Sequence, residues 1–208
     1  MTPRRTIFGW VALLASIVVS VLWIDRPLAQ ELAKVGFGSA LLTSGPVKWP
    51  VMIYLGYVGV ALGIGYVIAG WHRPRWVEAA MLAGLALLLG NVLTHDLLKP
   101  LFGRTVPTEF LRTGRHGFHW FHGGNRFEAF PSGHSTQAMA MLSVAWAFYP
   151  RLRWLCVALM AVLAMALMLG QWHFLGDILA GACVGAMAGA VVVAGWRWSC
   201  ARWPVLAT

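Results

Sequence analysis

Long apolar stretches separated by short polar segments dominate this chain. Stretches of about 17 to 21 apolar residues recur, close to the roughly 20 residues that a helix needs to cross a hydrocarbon core. The pattern predicts six membrane-spanning helices: Ile7–Ile24, Val51–Ile68, Val77–Leu93, Gln137–Tyr149 with its preceding turn, Trp154–Gly170 and Ile178–Trp196. The first stretch could also be the core of a signal peptide, but its length and the lack of a clear cleavage site favour a retained helix.

Composition supports a membrane protein. Of the 208 residues, 59% are hydrophobic and only 11% are charged, which is too apolar for an ordinary soluble domain. The mean hydropathy is +0.69. Six spans leave no room for a separate soluble domain. We therefore expect an all-α integral membrane protein, a six-helix bundle that forms one membrane domain over residues 1–208.

The positions of the basic residues predict the orientation of the bundle. Eight of the 16 lysines and arginines lie in the N-terminus, the second and fourth loops and the C-terminus, which share one side of a six-span chain. The other eight lie in loops 25–50 and 97–133, and an anionic substrate would explain those in the longer loop. By the positive-inside rule we expect both termini to be cytoplasmic and these two loops to be extracytoplasmic. The spans argue against nucleic acid as a partner, despite the net charge of +9.

Lys99 and Arg104 follow the third predicted span. Pro100 and Gly103 lie between them and break helices, so both cations are expected to turn toward one pocket. An arginine fork and a lysine point charge suit phosphate oxygens. The alternative is a basic pair that anchors a helix at the lipid headgroups.

The segment Pro131-Ser132-Gly133-His134 opens the fourth predicted span. Free N–H groups at a helix N-terminus form an anion site, to which Ser132 adds a hydroxyl and Gly133 an unobstructed backbone. His134 would lie where it can give a proton to a departing oxygen. The alternative is an N-cap serine beside an interfacial histidine.

His173 and Asp177 enter the last predicted span with i, i+4 spacing, which puts both on one face if the helix has already begun. A carboxylate bonded to one imidazole nitrogen would leave the other nitrogen as a nucleophile. The alternative is a His–Asp pair that only stabilises the helix start.

Together these segments resemble the type 2 phosphatidic acid phosphatase superfamily, over about residues 98–181. The family pattern is Lys with Arg-Pro from the seventh residue after it, then Pro-Ser-Gly-His, then Arg with His six residues later and Asp four beyond that. The resemblance implies that His173 attacks phosphorus, that Asp177 orients it and that His134 protonates the leaving oxygen. It also implies that no metal or other cofactor is needed. The residues assigned to phosphate binding are Lys99, Arg104, Ser132 and Gly133.

Two positions depart from the family pattern. Val106 and Leu167 stand where the family has arginines. Arg104, two residues before Val106, is a substitute for the first arginine, whereas nothing equally placed replaces the second. Further cations of the long loop are candidates for additional phosphate contacts: Arg112, Arg115 and Arg126.

The long loop also carries His116, His119 and His122 among aromatic residues. A metal site is one interpretation, but the spacing and the lack of a nearby carboxylate or cysteine favour a loop that rests at the headgroups. Gly181, Gly185 and Gly189 in the last span indicate either close helix packing or a homodimer face.

These patterns predict a hydrolase of lipid phosphates in a bacterial inner membrane, with its site on the periplasmic or extracytoplasmic face. The family resemblance implies that it works through a phosphohistidine. Phosphatidic acid, phosphatidylglycerol phosphate, a polyprenyl diphosphate and lipid A are all open as substrates. The alternatives are a lipid phosphotransferase and a non-catalytic protein that binds anionic lipids.

Overall fold

The computed structural model describes residues 3–35, 50–124 and 126–203, and over these ranges the chain is all-helical, with 80% helix. Its helices are α1 (Pro3–Val19), α2 (Asp25–Lys34), α3 (Pro50–Ile68), α4 (Arg75–Val92), α5 (Lys99–Phe102), α6 (Pro107–Thr113), α7 (Gly133–Phe148), α8 (Arg153–Leu169) and α9 (Leu175–Arg202). The π-helical segments Ser20–Ile24 and Leu93–Leu98 join α1 to α2 and α4 to α5. A 3₁₀ turn, Pro150–Leu152, precedes α8.

Five continuous helical stretches of the described chain are long and apolar enough to cross a membrane: Phe8–Lys34, Val51–Ile68, Arg75–Phe102, Pro150–Leu169 and Leu175–Arg202. The predicted all-helical class is therefore confirmed. The fourth predicted span corresponds to α7, which has 16 residues and includes the expected preceding turn as its first turn. The count of six spans and the cytoplasmic termini stay predictions.

Two expected helix ends are wrong. The loop expected from Asp25 begins later, because α2 continues the first helix to Lys34, with Pro27 shortly after a π-helical segment. Pro100 likewise falls in the first turn of α5, after a π-helical segment, and does not end the helix. The end comes at Gly103, which adopts the left-handed conformation with φ of +54°. The rest of the first long loop, with Lys48, lies outside the described residues.

The core lies where α4, α7 and α9 pack together. Its buried residues are Met81, Leu82, Ala86, Ala140, Val144 and Val193. Large apolar side chains on the outer faces, such as Leu14, Val58, Val162 and Val191, are exposed. Such a surface suits helices surrounded by lipid, since acyl chains are as apolar as the side chains themselves.

The motif residues gather at one end of the bundle. Helix directions place the end of α4, the start of α7 and the start of α9 together there, and the α1–α2 junction joins them. The opposite end carries arginines that contact aromatic rings, including Arg73 over Trp196 and Arg75 over Tyr149. The fold therefore separates the polar motif residues from a basic, aromatic end of the bundle.

Candidate active site

The turn before α9 presents His173. Its Nδ1 lies 2.9 Å from the carbonyl oxygen of Ala129, and its ring is buried. A carbonyl only accepts, so Nδ1 carries the proton and donates it, which leaves a lone pair on Nε2. The structure thus gives His173 the tautomer that a nucleophile needs.

Asp177 is fully buried in the first turn of α9, which begins at Leu175 and so after His173. Its Oδ2 accepts the Phe174 N–H at 2.8 Å and lies 3.9 Å from Nδ1 of His173. At that distance the carboxylate acts on the imidazole by its charge. The Nδ1–H of His173, which was expected to donate to Asp177, donates to the Ala129 carbonyl instead. The backbone carbonyl of Asp177 accepts the Ser132 N–H at 3.0 Å, which ties the two motif turns together.

The second turn begins α7. Ser132 is its N-cap, and its fully buried hydroxyl oxygen accepts from the Ser135 N–H at 3.4 Å and the Ser135 hydroxyl at 3.1 Å. Gly133 and His134 form the first turn of the helix, where N–H groups point out of the helix end. The rings of His134 and His173 face each other edge to face, with centroids 6.3 Å apart. A phosphorus atom between two such imidazoles would be within reach of both.

Lys99 supplies a buried cation at this end of the bundle. Its charge lies within electrostatic range of the carboxylates of Glu128 and Asp177. It also lies within electrostatic range of the imidazoles of His95 and His134. His95 precedes Lys99 by four residues in the π-helical segment, so the two share a face. Sequence reasoning missed His95, although its spacing from Lys99 was a usable signal.

Arg104 is fully buried and is held between two carboxylates. One amino group donates to Asp177 Oδ1 at 2.5 Å and the other to Asp25 Oδ2 at 2.7 Å. Its guanidinium lies between the rings of Phe118 and Phe174, with centroids at 5.2 and 4.7 Å. In this arrangement Arg104 positions Asp177, and its predicted direct contact with phosphate stays a prediction.

Asp25 was not expected in the site. It lies at the junction of the first two helical segments with 1% of its surface exposed, and it reaches the site from 79 residues before Arg104. The signal available in the sequence was an acid at the end of an apolar span, which is costly unless it is paired or functional.

Comparison with known proteins agrees with this geometry. The family model of the PAP2 superfamily matches residues 79–200, more than half of the chain. The chain belongs to the PAP2 superfamily. It is 29% identical over 198 residues to a lipid A 1-phosphatase of Rhizobium johnstonii, covering 89% of this chain and 79% of that protein. A lipid A 1-phosphatase of Rhizobium etli is 28% identical over 182 residues, covering 82% of this chain and 76% of its own length. No solved structure gives a significant match.

The resemblance inferred from the three motifs is therefore confirmed, and so is the prediction of a phosphatase. Leu167 stands where the PAP2 pattern has its second arginine, and it is buried on α8 with 4% of its surface exposed. Its carbonyl oxygen accepts the Trp172 N–H at 3.0 Å, in the turn that leads to His173. The N–H of Val106 donates to the carbonyl of Arg126 at 3.1 Å, so Arg126 lies beside the position where the family has its first arginine. Arg126 is exposed, and its predicted contact with phosphate stays a prediction.

Two other arginines of the long loop were candidates for phosphate contacts. Arg112 pairs with Glu109 at 2.8 Å, and Arg115 is exposed. Within the described ranges, no group of three His, Cys, Asp or Glu side chains is placed to hold a metal ion. His119 instead packs on Phe127, and His116 accepts from Nε of Arg26 at 3.0 Å, so the loop histidines serve separate contacts.

Proposed function

We propose that this PAP2 protein is a metal-independent phosphatase that removes the 1-phosphate of lipid A through a phosphohistidine on His173. The carrying observation is the hydrogen bond from Nδ1 of His173 to the Ala129 carbonyl, opposite His134. It leaves a lone pair on Nε2 of an imidazole whose ring centroid lies 6.3 Å from that of His134. That is the arrangement needed for attack on phosphorus with protonation of the leaving group.

In the first step Nε2 of His173 attacks phosphorus, the bond from phosphorus to the lipid oxygen breaks, and His134 gives that oxygen a proton. Lys99, the Ser132 hydroxyl and the N–H groups at the start of α7 balance the charge on the phosphoryl oxygens. The carboxylate of Asp177, 3.9 Å from Nδ1, stabilises the positive charge that develops on His173.

In the second step water attacks the phosphohistidine and His134 takes a proton from it. The bond from phosphorus to nitrogen breaks, which releases inorganic phosphate and restores neutral His173. Both steps use the same two imidazoles in reversed proton roles, as microscopic reversibility requires.

The choice of lipid A rests on the relatives. Both are named lipid A 1-phosphatases, and each aligns over more than four-fifths of this chain and three-quarters of its own length. The pocket residues described above recognise phosphate and do not by themselves choose a lipid. The substrate sits in the membrane, and we place the reaction on the extracytoplasmic face of a bacterial inner membrane.

The test is phosphate release by the detergent-purified protein, with chelator present, from lipid A, phosphatidic acid, phosphatidylglycerol phosphate and undecaprenyl diphosphate. We expect release to be fastest from lipid A and to leave a lipid that lacks the 1-phosphate. The His173→Ala variant should lose activity by a factor of about 1000 or more. The matched control is His122→Ala, which removes an exposed loop histidine and should retain activity.

Other results would change the proposal in defined ways. A preference for another lipid phosphate would leave the chemistry and reject lipid A as the substrate. Loss of phosphate from lipid A with its appearance on a second lipid would identify a phosphotransferase. Activity that is retained by His173→Ala, or abolished by chelator, would overturn the phosphohistidine mechanism.

A further inference from the structure

Asp25 stands outside the part of the chain that defines the family. The PAP2 match covers residues 79–200, whereas Asp25 belongs to the N-terminal helical stretch Phe8–Lys34. A π-helical segment, Ser20–Ile24, ends directly before it. Such segments change which face a side chain occupies and often mark functional positions. Here the change of register accompanies an acid that is buried against the reaction site.

Three donors hold the carboxylate of Asp25. The Ser20 hydroxyl donates to Oδ1 at 2.8 Å, the Gly176 N–H donates to Oδ1 at 2.9 Å, and Arg104 donates to Oδ2 at 2.7 Å. Two of these donors belong to the machinery around His173, since Gly176 adjoins Asp177 and Arg104 binds it. The position is also tight, because a Cβ on Gly176 would come within 2.7 Å of Oδ2 of Asp25.

The charges around Arg104 link Asp25 to the nucleophile. Asp25, Arg104 and Asp177 are all essentially buried, and the guanidinium of Arg104 bridges the two carboxylates. Lys99 is a second buried cation, within electrostatic range of Asp177. Asp25 and Asp177 therefore share one guanidinium, so a change of charge at position 25 alters the charge that Asp177 offers to His173.

We propose that Asp25 is a positioning residue for phosphoryl transfer, and this rests on the proposed function. Asp25 shares the guanidinium of Arg104, so that Asp177 keeps more of its negative charge to stabilise the charge developing on His173. Through Gly176 it also fixes the turn that carries His173. The N-terminal helical stretch thus completes an active site whose reacting groups all lie in the family segment.

The main test is Asp25→Asn in the full-length protein. We expect kcat to fall by about 10- to 100-fold, as for a misplaced catalytic group, while KM for the lipid phosphate changes by less than about threefold. Rates are divided by the concentration of folded protein, taken from the monodisperse gel-filtration peak in detergent, so that partial unfolding does not imitate a loss of kcat. The matched control is Glu31→Gln, an exposed acid of α2 paired with Lys34, which should leave kcat unchanged.

The second test measures coupling to Arg104. If Asp25 acts through the guanidinium, the Asp25→Asn/Arg104→Gln double variant should be within about threefold of Arg104→Gln alone, because the first change then has little left to disturb. Independent, multiplying losses in kcat would overturn the proposed route. So would an Asp25→Asn variant with the wild-type kcat per folded protein.

A milder change keeps the proposal testable if Asp25→Asn does not fold. Ser20→Ala removes one donor from the carboxylate, and we expect kcat to fall by about two- to fivefold with KM unchanged. Its control is Ser16→Ala on the same helix, whose hydroxyl donates to the Ala12 carbonyl on an exposed face. Equal kcat for the two serine variants would reject the role of Asp25. A wild-type protein that releases no phosphate from any lipid phosphate would instead reject the proposed function.

Discussion

At the scale of single residues, a backbone carbonyl and two carboxylates share the preparation of the nucleophile. The Ala129 carbonyl fixes the tautomer of His173, so Asp177 is left to supply charge at 3.9 Å. Arg104 then fixes Asp177 from its other oxygen. This division uses both amino groups of the Arg104 guanidinium on carboxylates. Lys99, which is buried at the same end of the bundle, and the exposed Arg126 stay predicted phosphate contacts.

The first residue-level prediction concerns Arg126, whose backbone pairs with Val106 at the position of the missing family arginine. We expect Arg126→Ala to raise KM for lipid phosphates by about tenfold with a small change in kcat, since an exposed cation attracts substrate and transition state alike. Steady-state phosphate release at several salt concentrations measures this, and the effect should shrink at high salt. Arg151→Ala, at the opposite end of the bundle, is the control. An unchanged KM in Arg126→Ala would show that the site works without this cation.

The second prediction concerns acid stability. Burial, helped by the charges of Arg104 and Arg26, lowers the pKa of His116 from 6.5 to about 4. Between these values the unfolded chain binds a proton that the folded chain does not, so stability is full above about pH 6.5 and is lost as the pH falls toward 4. We expect Tm in detergent to drop by several degrees, roughly 4–8 °C, from pH 7 to pH 4.5. His116→Gln should flatten this dependence.

His122→Gln serves as the control for that measurement, because His122 is an exposed histidine of the same loop. Its Tm should fall with pH as the wild type does. If His116→Gln and the wild type lost the same number of degrees, the acid sensitivity would come from other groups, and neutral His116 would not contribute.

At the scale of elements, the glycine stripe of α9 sets how closely the two motif turns approach. Cβ atoms at Gly181 and Gly185 would overlap the carbonyl oxygens of Ser132 and Thr136 on α7, and one at Gly189 would overlap the Ser143 hydroxyl. The stripe therefore packs within the chain, as one of its two interpretations expected. A homodimer stays a prediction without support from these glycines.

A pair of substitutions on α9 tests this packing. Gly185→Ala is expected to destabilise the protein by about 1–3 kcal/mol, because α7 and α9 would have to separate. Gly195→Ala lies on the same helix with no atom within 4 Å of the new Cβ, and the better helix propensity of alanine should leave Tm equal or slightly higher. Thermal unfolding in detergent compares the two. Equal Tm values would mean that the close approach of α7 and α9 is not needed for stability.

How far the sequence predicts these elements depends on the distance between the interacting residues. Apolar length is a local property, and the spans ending at Ile68 and Leu169 are predicted to within a residue or so. The first helix continues through Asp25, and the helix after α4 continues through Pro100. Both continuations depend on the π-helical segments before these residues, which the hydrophobic pattern does not predict. The three motifs follow from local sequence, whereas the Asp25–Arg104 pair joins residues 79 positions apart and can be recognised only in the fold.

At the scale of the whole molecule, the two ends of the bundle differ in chemistry. The helical stretch Arg75–Phe102 has 28 residues, so it separates the loop before Arg75 from the site by about 42 Å, more than the thickness of a hydrocarbon core. Arginines beside aromatic rings at the end away from the site fit a cytoplasmic interface, where basic residues are retained. The reaction site would then face the extracytoplasmic side, where it meets lipids of the outer leaflet.

Single cysteines can test this orientation and the number of spans together. The native cysteines Cys156, Cys183 and Cys200 are not disulfide-bonded, so a variant without them is a suitable background for labelling. In spheroplasts, a membrane-impermeant maleimide should label Arg115→Cys but not His72→Cys or Arg151→Cys, and detergent should expose all three. The result at position 151 depends on α7, since labelling there in intact spheroplasts would mean that this 16-residue helix does not cross the membrane. Labelling of positions 72 and 151 without 115 would reverse the orientation, and would put phosphate removal on the cytoplasmic leaflet.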